Sequence, residues 1–137
     1  MIAGAVFFDT EFEFDDGDTG RKLFVVLGSH NAISVVAKTT SKQHGRGVAF
    51  GCQPGDRFHN FYLPVHQCDL NVNTWICLDE FYELNANQLL QKKFSRVVHH
   101  VCDLSAAITT DLIQCALISD DITAAQERII KMAAGLP

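Results

Sequence analysis

Apolar and polar positions alternate in short blocks along the chain. Residues 3–8 form an apolar run with valine and phenylalanine, the composition of a strand. Beyond it Phe8, Phe12 and Phe14 interleave with Glu11 and Glu13, so the strand either extends or frays into an acidic segment. Asp15-Asp16-Gly17-Asp18-Thr19-Gly20 reads as a turn or loop. Residues 22–27 are apolar after Lys22, as in a buried strand. Gly28-Ser29-His30-Asn31 is then the predicted turn of a hairpin leading into residues 33–38. A polar stretch at 39–57, with Gly45, Gly47, Gly51 and Gly55, is longer than the usual connection and is either functional or partly mobile.

Strand character resumes at 60–65, where Pro64 marks an end or an edge. Residues 74–78 and 80–84 are two strands or one bent strand, and 94–101 is another. Asn85 caps a short helix at 86–91. Ser105 caps a helix that runs to about Ser119, with Ile108, Leu112 and Cys115 on its apolar face and Ala116 beside them. A last helix starts near Asp121 or Thr123, where Thr123 and Gln126 have capping-box spacing, and buries Ile122, Ala125, Ile129 and Met132. The pattern predicts a mainly β protein with C-terminal helices, of the α+β class. Six or seven short strands form a small barrel or curled antiparallel sheet, packed by two to three helices. The length of 137 residues fits a single domain, 1–137.

Composition narrows this only slightly. With 47% apolar and 20% charged residues, a disordered chain, a coiled coil and a collagen-like repeat are excluded. Apolar stretches break within about 8 residues, far short of the ~20 a membrane helix needs, so no membrane partner is expected. Met1-Ile2-Ala3-Gly4-Ala5 lacks a basic start and Asp9 and Glu11 follow at once, so no secretory signal is predicted and the expected location is cytoplasmic. Five cysteines give an odd count with no close pair, and reduced thiols are the corresponding expectation. Cys77, Cys102 and Cys115 lie in apolar runs and read as core. Cys52, His59, His66 and Cys68 can be drawn as a zinc site, but no CxxC or HxxxH frames them, and no metal is assigned.

The net charge of −5 is uneven. Asp9, Glu11, Glu13, Asp15, Asp16 and Asp18 crowd into ten residues without a base, and the remaining ten acids face eleven bases. A protein that holds long duplex by charge alone is far more basic, so a short single-stranded site suits this balance better.

The segment Val36-Ala37-Lys38-Thr39-Thr40-Ser41-Lys42 is the most informative. A strand delivers three hydroxyls between two lysines, and no acid lies between His30 and Gln53. Ammonium groups and hydroxyls together suit a phosphate, although an ordinary solvated hairpin end has the same local composition. Arg21-Lys22 is a second basic pair at a strand edge. If the two strands pair antiparallel, Arg21 and Lys22 come beside Lys38, Thr39 and Thr40. His59 closes the long loop and can return to the same corner as a proton-exchanging group. His99 and His100 face opposite ways, as do Asp79 and Glu80, which makes the latter a poor acid–base dyad. No GxSxG, Walker loop, GxGxxG or HExxH occurs.

Three segments in order carry a resemblance: Gly20-Arg21-Lys22-Leu23-Phe24-Val25-Val26-Leu27, Val35-Val36-Ala37-Lys38-Thr39-Thr40-Ser41, and Trp75-Ile76-Cys77-Leu78-Asp79-Glu80-Phe81-Tyr82-Glu83-Leu84-Asn85. Together with a short helix around Leu89-Leu90 and a terminal helix, over roughly residues 3–118, they resemble the PemK/MazF family of type II toxins, with 121–137 as a C-terminal helical extension. The resemblance implies an SH3-like barrel, a homodimer, and a metal-independent, cofactor-free endoribonuclease that cuts single-stranded mRNA and is silenced by a cognate antitoxin. It places the family's catalytic arginine on Lys22, or on Arg21 if the register shifts by one, and its threonine on Thr40. Lys38, Thr39, Ser41, Lys42 and His59 are the expected substrate contacts, and Tyr82 is expected to stack on a base. Where the family has Arg-Pro this chain has Lys22-Leu23, and lysine lacks the bidentate fork of arginine. A second expectation is therefore a non-catalytic descendant that binds protein or nucleic acid. A third is a 39–57 loop that grips a small phosphate ligand.

Overall fold

A computed structural model describes residues 1–137. It contains the strands β1 (Ala5–Glu13), β2 (Thr19–His30), β3 (Ile33–Thr40), β4 (Gly51–Gln53), β5 (Asn60–Leu63), β6 (Thr74–Cys77), β7 (Tyr82–Asn85) and β8 (Val98–Asp103). Helix α1 (Ala86–Phe94) lies between β7 and β8, and α2 (Ala106–Leu117) and α3 (Ala124–Ala134) close the chain. The fold is α+β. One antiparallel sheet runs in the order β4-β5-β6-β3-β2-β1-β8, and β7 also pairs with β3. There are eight strands rather than six or seven, because the long 39–57 connection contains β4. The end strands β4 and β8 do not pair with each other, so the sheet is curled but open.

Strand β3 forks. Its first half, from Ile33 to Val36, pairs with β7, and its last residues, Thr39 and Thr40, pair with Ile76 and Trp75 of β6. The β2–β3 turn is tighter than the glycine suggested. It is a two-residue turn at Asn31-Ala32, both with positive φ (51° and 65°), closed by the pair His30–Ile33. That backbone matches the strand twist of a primed hairpin turn. Gly28 lies inside β2 at an irregularity in the pairing, under α3. A Cβ there would stand 3.1 Å from the Ile130 Cα, so the missing side chain lets the helix backbone lie directly on the strand.

The two faces of the sheet bury separate cores. One face carries Val25, Leu27, Val35, Ala37, Phe61 and Ile76 against Leu112, Cys115 and Ala116 of α2 and Ile130 of α3. The other gathers Phe7, Phe12, Phe24, Val36 and Tyr82 under Leu89 of α1. Helix α1 continues through Phe94, so β8 begins at Val98 instead of residue 94. The caps fall where expected: Asn85 accepts from Asn87 N, Ser105 from Ile108 N, and Thr123 and Gln126 form a capping box. Half of the expected α3 stripe holds: Ile122 and Ile129 pack, partly buried, against the core. Gln126 and Ile130 are buried, Ala125 is exposed and Met132 is 52% exposed, because the contact at Gly28 sets the face that meets the sheet.

The cysteines correct the expectation of reduced thiols. Cys52 is bonded to Cys115 and Cys68 to Cys102, and only Cys77 is free. Cys77, Cys102 and Cys115 are all buried, as their apolar surroundings suggested. The partners are 63 and 34 residues apart, a separation with no local signature. The first bond ties edge strand β4 to α2, and the second ties edge strand β8 to a 3-10 turn at Gln67–Asp69. No helix is long and apolar enough to cross a membrane.

Gly28→Val should destabilise the chain by about 1–3 kcal/mol, the usual cost of overpacking, read as a lower urea midpoint. The double variant Cys68→Ser/Cys102→Ser should lose roughly 3–4 kcal/mol through the loop entropy returned to the unfolded chain. An unchanged urea midpoint in non-reducing buffer would show that the bond adds nothing.

Candidate functional site

The antiparallel β2–β3 pair brings the two basic segments together. The register pairs Phe24 with Lys38, so Lys22 and Thr40, each two residues further out, share one face of the sheet. Lys22 Nζ donates to the Thr39 carbonyl oxygen at 3.1 Å, and Thr39 Oγ1 donates to the Leu23 carbonyl oxygen at 3.1 Å. Thr40 Oγ1 accepts from the Lys42 amide at 3.2 Å, which leaves its hydroxyl proton free. Arg21, Lys22, Thr39, Thr40 and Ser41 border one cleft of about 210 Å³, walled by Phe8, Leu23 and Val72. Arg21 and Ser41 are exposed at its mouth.

The charge at this corner is unbalanced. Burial holds the Lys22 ammonium below the ordinary lysine range, and the cations Lys38, Lys42 and Arg46 add to it. Lys22 forms no salt bridge; its hydrogen bond is to a carbonyl. A bound anion would offset both the desolvation and the repulsion. The Cys77 thiol is pushed up by burial and stays protonated at neutral pH, beside the Arg46 guanidinium at 4.0 Å.

Arg46 is the residue that the sequence pattern did not single out. Its side chain is buried, reaches the Lys42 and Gln43 carbonyl oxygens at 3.4 Å, and lies over the Phe58 ring at 5.2 Å. Its Nε and the Asp79 Oδ1 are buried without partners. Both residues line a cleft of about 510 Å³ with His44, Arg57 and Glu80. Only its place in an acid-free stretch hinted at this role. The loop that carries it is well tied: Trp75 Nε1 donates to the Gly47 carbonyl oxygen at 2.8 Å, and Gln53 Nε2 donates to the same oxygen at 2.9 Å.

Three predicted contacts lie apart from the cleft. Lys38 is held by Glu80, with its Nζ 3.3 Å from both carboxylate oxygens and 5.6 Å from the Phe14 ring centroid. Tyr82 does not present its ring for stacking on a base. It is 8% exposed, packs edge-on against Phe12 at 4.9 Å, and donates its hydroxyl to Glu80 Oε2 at 2.7 Å. His59 does not return to the basic corner; its Nε2 lies 2.7 Å from the Cys115 carbonyl oxygen on α2. The reason is parity. Asn60 pairs with Cys77 on the side of the basic corner, so the preceding residue turns to the opposite face. Lys42 is exposed beside the cleft. Of the four donors drawn as a zinc site, Cys52 and His59 do meet, with Cys115 as the third, while Cys68 is engaged with Cys102.

No protein-family model matches this chain, and no curated protein matches it. The geometry therefore stands by itself.

Two acids, Asp9 and Glu80, serve structure. Asp9, expected on an acidic edge, is buried at 2% exposure in β1 and receives Lys92 Nζ of α1 at 2.7 Å. Burial raises Glu80, but the Tyr82 hydroxyl and the Lys38 ammonium outweigh it and hold the carboxyl below its ordinary value of 4.5. Burial and then Glu80 push the Tyr82 phenol well above its usual range. A carboxyl held low contributes stability above its unfolded pKa and loses it as pH falls through the folded value. Tyr82→Phe should therefore cost about 1 kcal/mol at neutral pH, and this difference from wild type should shrink below pH 4.5, as urea titrations at several pH values would show. A difference that persists unchanged in acid would assign the loss to packing.

Proposed function

We propose that the chain is a toxin of the PemK/MazF type, on an SH3-like sheet, that cuts single-stranded mRNA without a metal or cofactor in the cytoplasm. The observation that carries this reading is a partly buried, unpaired Lys22 beside the Thr39-Thr40-Ser41 hydroxyls in one cleft. In the reaction, the ribose 2′-hydroxyl loses its proton to solvent, because the cleft holds no imidazole or carboxylate, and its oxygen attacks the adjacent phosphorus. The bond to the 5′ oxygen breaks, that oxygen takes up a proton, and a 2′,3′-cyclic phosphate remains. Lys22 and Arg21 face the non-bridging oxygens as their charge grows, and Thr40 donates its free hydroxyl to one of them. Lys42 and Ser41 meet the neighbouring phosphates along a strand laid across the cleft mouth.

A second copy of the chain and a cognate antitoxin are the partners in this reading. Leu90 and Phe94, one helical turn apart on α1 and 53% and 81% exposed, supply apolar surface for association. The alternative reading is a non-catalytic, PemK-like module that binds protein or nucleic acid. It is favoured by Glu80, which neutralises Lys38, and by the occupied Tyr82. Growth separates the two: expression of a nuclease arrests cells unless an antitoxin is co-expressed, whereas expression of a binder does not.

Pure protein incubated with single-stranded RNA in EDTA should release fragments with 2′,3′-cyclic ends. Lys22→Ala and Thr40→Ala should each lower the rate at least about 100-fold, the scale of losing a transition-state donor. Intact RNA at micromolar enzyme would overturn the reading. Cleavage should also decline as pH rises through the lowered Lys22 pKa, at a pH below 10.5. Lys22→Met should leave the melting temperature equal or higher, since it removes a poorly solvated charge.

A further inference from the structure

The Cys52, His59 and Cys115 side chains converge on the far side of β5–β6 from the basic corner. Their donor atoms all lie within 4.8 Å of one another, with His59 Nε2 3.4 Å from Cys115 Sγ. We propose that these three side chains form a thiolate–imidazole metal site, masked by the Cys52–Cys115 disulfide, that takes Zn²⁺ once the bond is reduced. Two thiolates and an imidazole are the donor set zinc prefers, and three protein ligands leave a fourth position open. Cys52 and Cys115 border an open cleft of about 430 Å³, so a water reaches that position.

The donors stay together without the covalent bond. Cys52 is fixed by the pairing of β4 with β5, opposite Phe61. Cys115 sits on the buried face of α2, packed against β4 and β5. His59 immediately precedes β5 and is held by the bond from Leu78 N to its carbonyl oxygen at 2.9 Å. Cys52 is exposed, so a reductant and an ion both have access.

The chemistry balances. A phosphine reductant gives two electrons to the disulfide and takes an oxygen atom from water, leaving two thiols and a phosphine oxide. Zn²⁺ then displaces both thiol protons to solvent; the proton that His59 Nε2 donates to the Cys115 carbonyl passes through solvent to Nδ1, and Nε2 binds the ion as the unprotonated ring nitrogen.

The test uses the full chain, oxidised or reduced with a phosphine, dialysed against Zn²⁺ with a competing chelator, and against Co²⁺ to read thiolate-to-metal charge transfer. The reduced chain should hold one equivalent and show the charge-transfer band, and the oxidised chain should hold none. His59→Ala should weaken binding by about 100-fold, and Cys52→Ser should abolish the band. Cys68→Ser/Cys102→Ser should bind as the wild type does, which places the metal at this cluster. Where reduction alone melts the chain, Zn²⁺ added with the reductant should restore the circular dichroism of the fold. A reduced chain that takes no metal, one that stays melted with zinc present, or binding unaffected by His59→Ala would each overturn the proposal.

Discussion

The antiparallel pairing of β2 with β3 is the constraint on which the rest of the molecule depends. Strand β2 is paired along both edges, by β1 and β3, and β3 then divides its free edge between β7 and β6. A strand that serves two partners in sequence forces the sheet to curl. One face of the sheet carries α2 and α3, and the other buries a smaller core under α1. Gly28 makes the first of these possible, because α3 can lie on β2 only where the strand has no side chain.

The same pairing explains the charge distribution. Along one face of β2 and β3 the aromatic core of Phe24, Phe12 and Tyr82 gives way, within two residues, to Lys38, Lys22 and Thr40. Glu80 satisfies Lys38 and is itself satisfied by Tyr82, so that part of the face is closed. Lys22 is left with a carbonyl partner and three cationic neighbours. A half-buried ammonium in that position is costly to the fold, and such a cost is commonly retained where an anion is to be met.

An open sheet has two edges to protect. Here each is tied by a bond between distant segments, β4 to α2 and β8 to the 3-10 turn. At the first edge, His59 packs onto the sulfur of Cys115, so the element that closes the edge also gathers three soft donors. The basic corner and this cluster lie on opposite sides of β5–β6, separated by the alternation of Asn60 and His59.

What the sequence determined by itself is local. Most strand positions, the β2–β3 hairpin, the Asn85, Ser105 and Thr123 caps, and the meeting of Lys22 with Thr40 follow from period-two alternation and short-range hydrogen bonding, which a linear pattern records. The extra strand β4, the burial of Gln126 and Ile130 on α3, the departure of His59 and Tyr82 from the basic corner, and both cysteine pairs were decided only in three dimensions. Each depends on which face of an element meets a partner tens of residues away. The energy that selects the face comes from packing, as at Gly28 against Ile130, and from the pairing of polar groups, as of Arg46 with the Lys42 carbonyl and of Lys38 with Glu80, not from the local propensity of the segment.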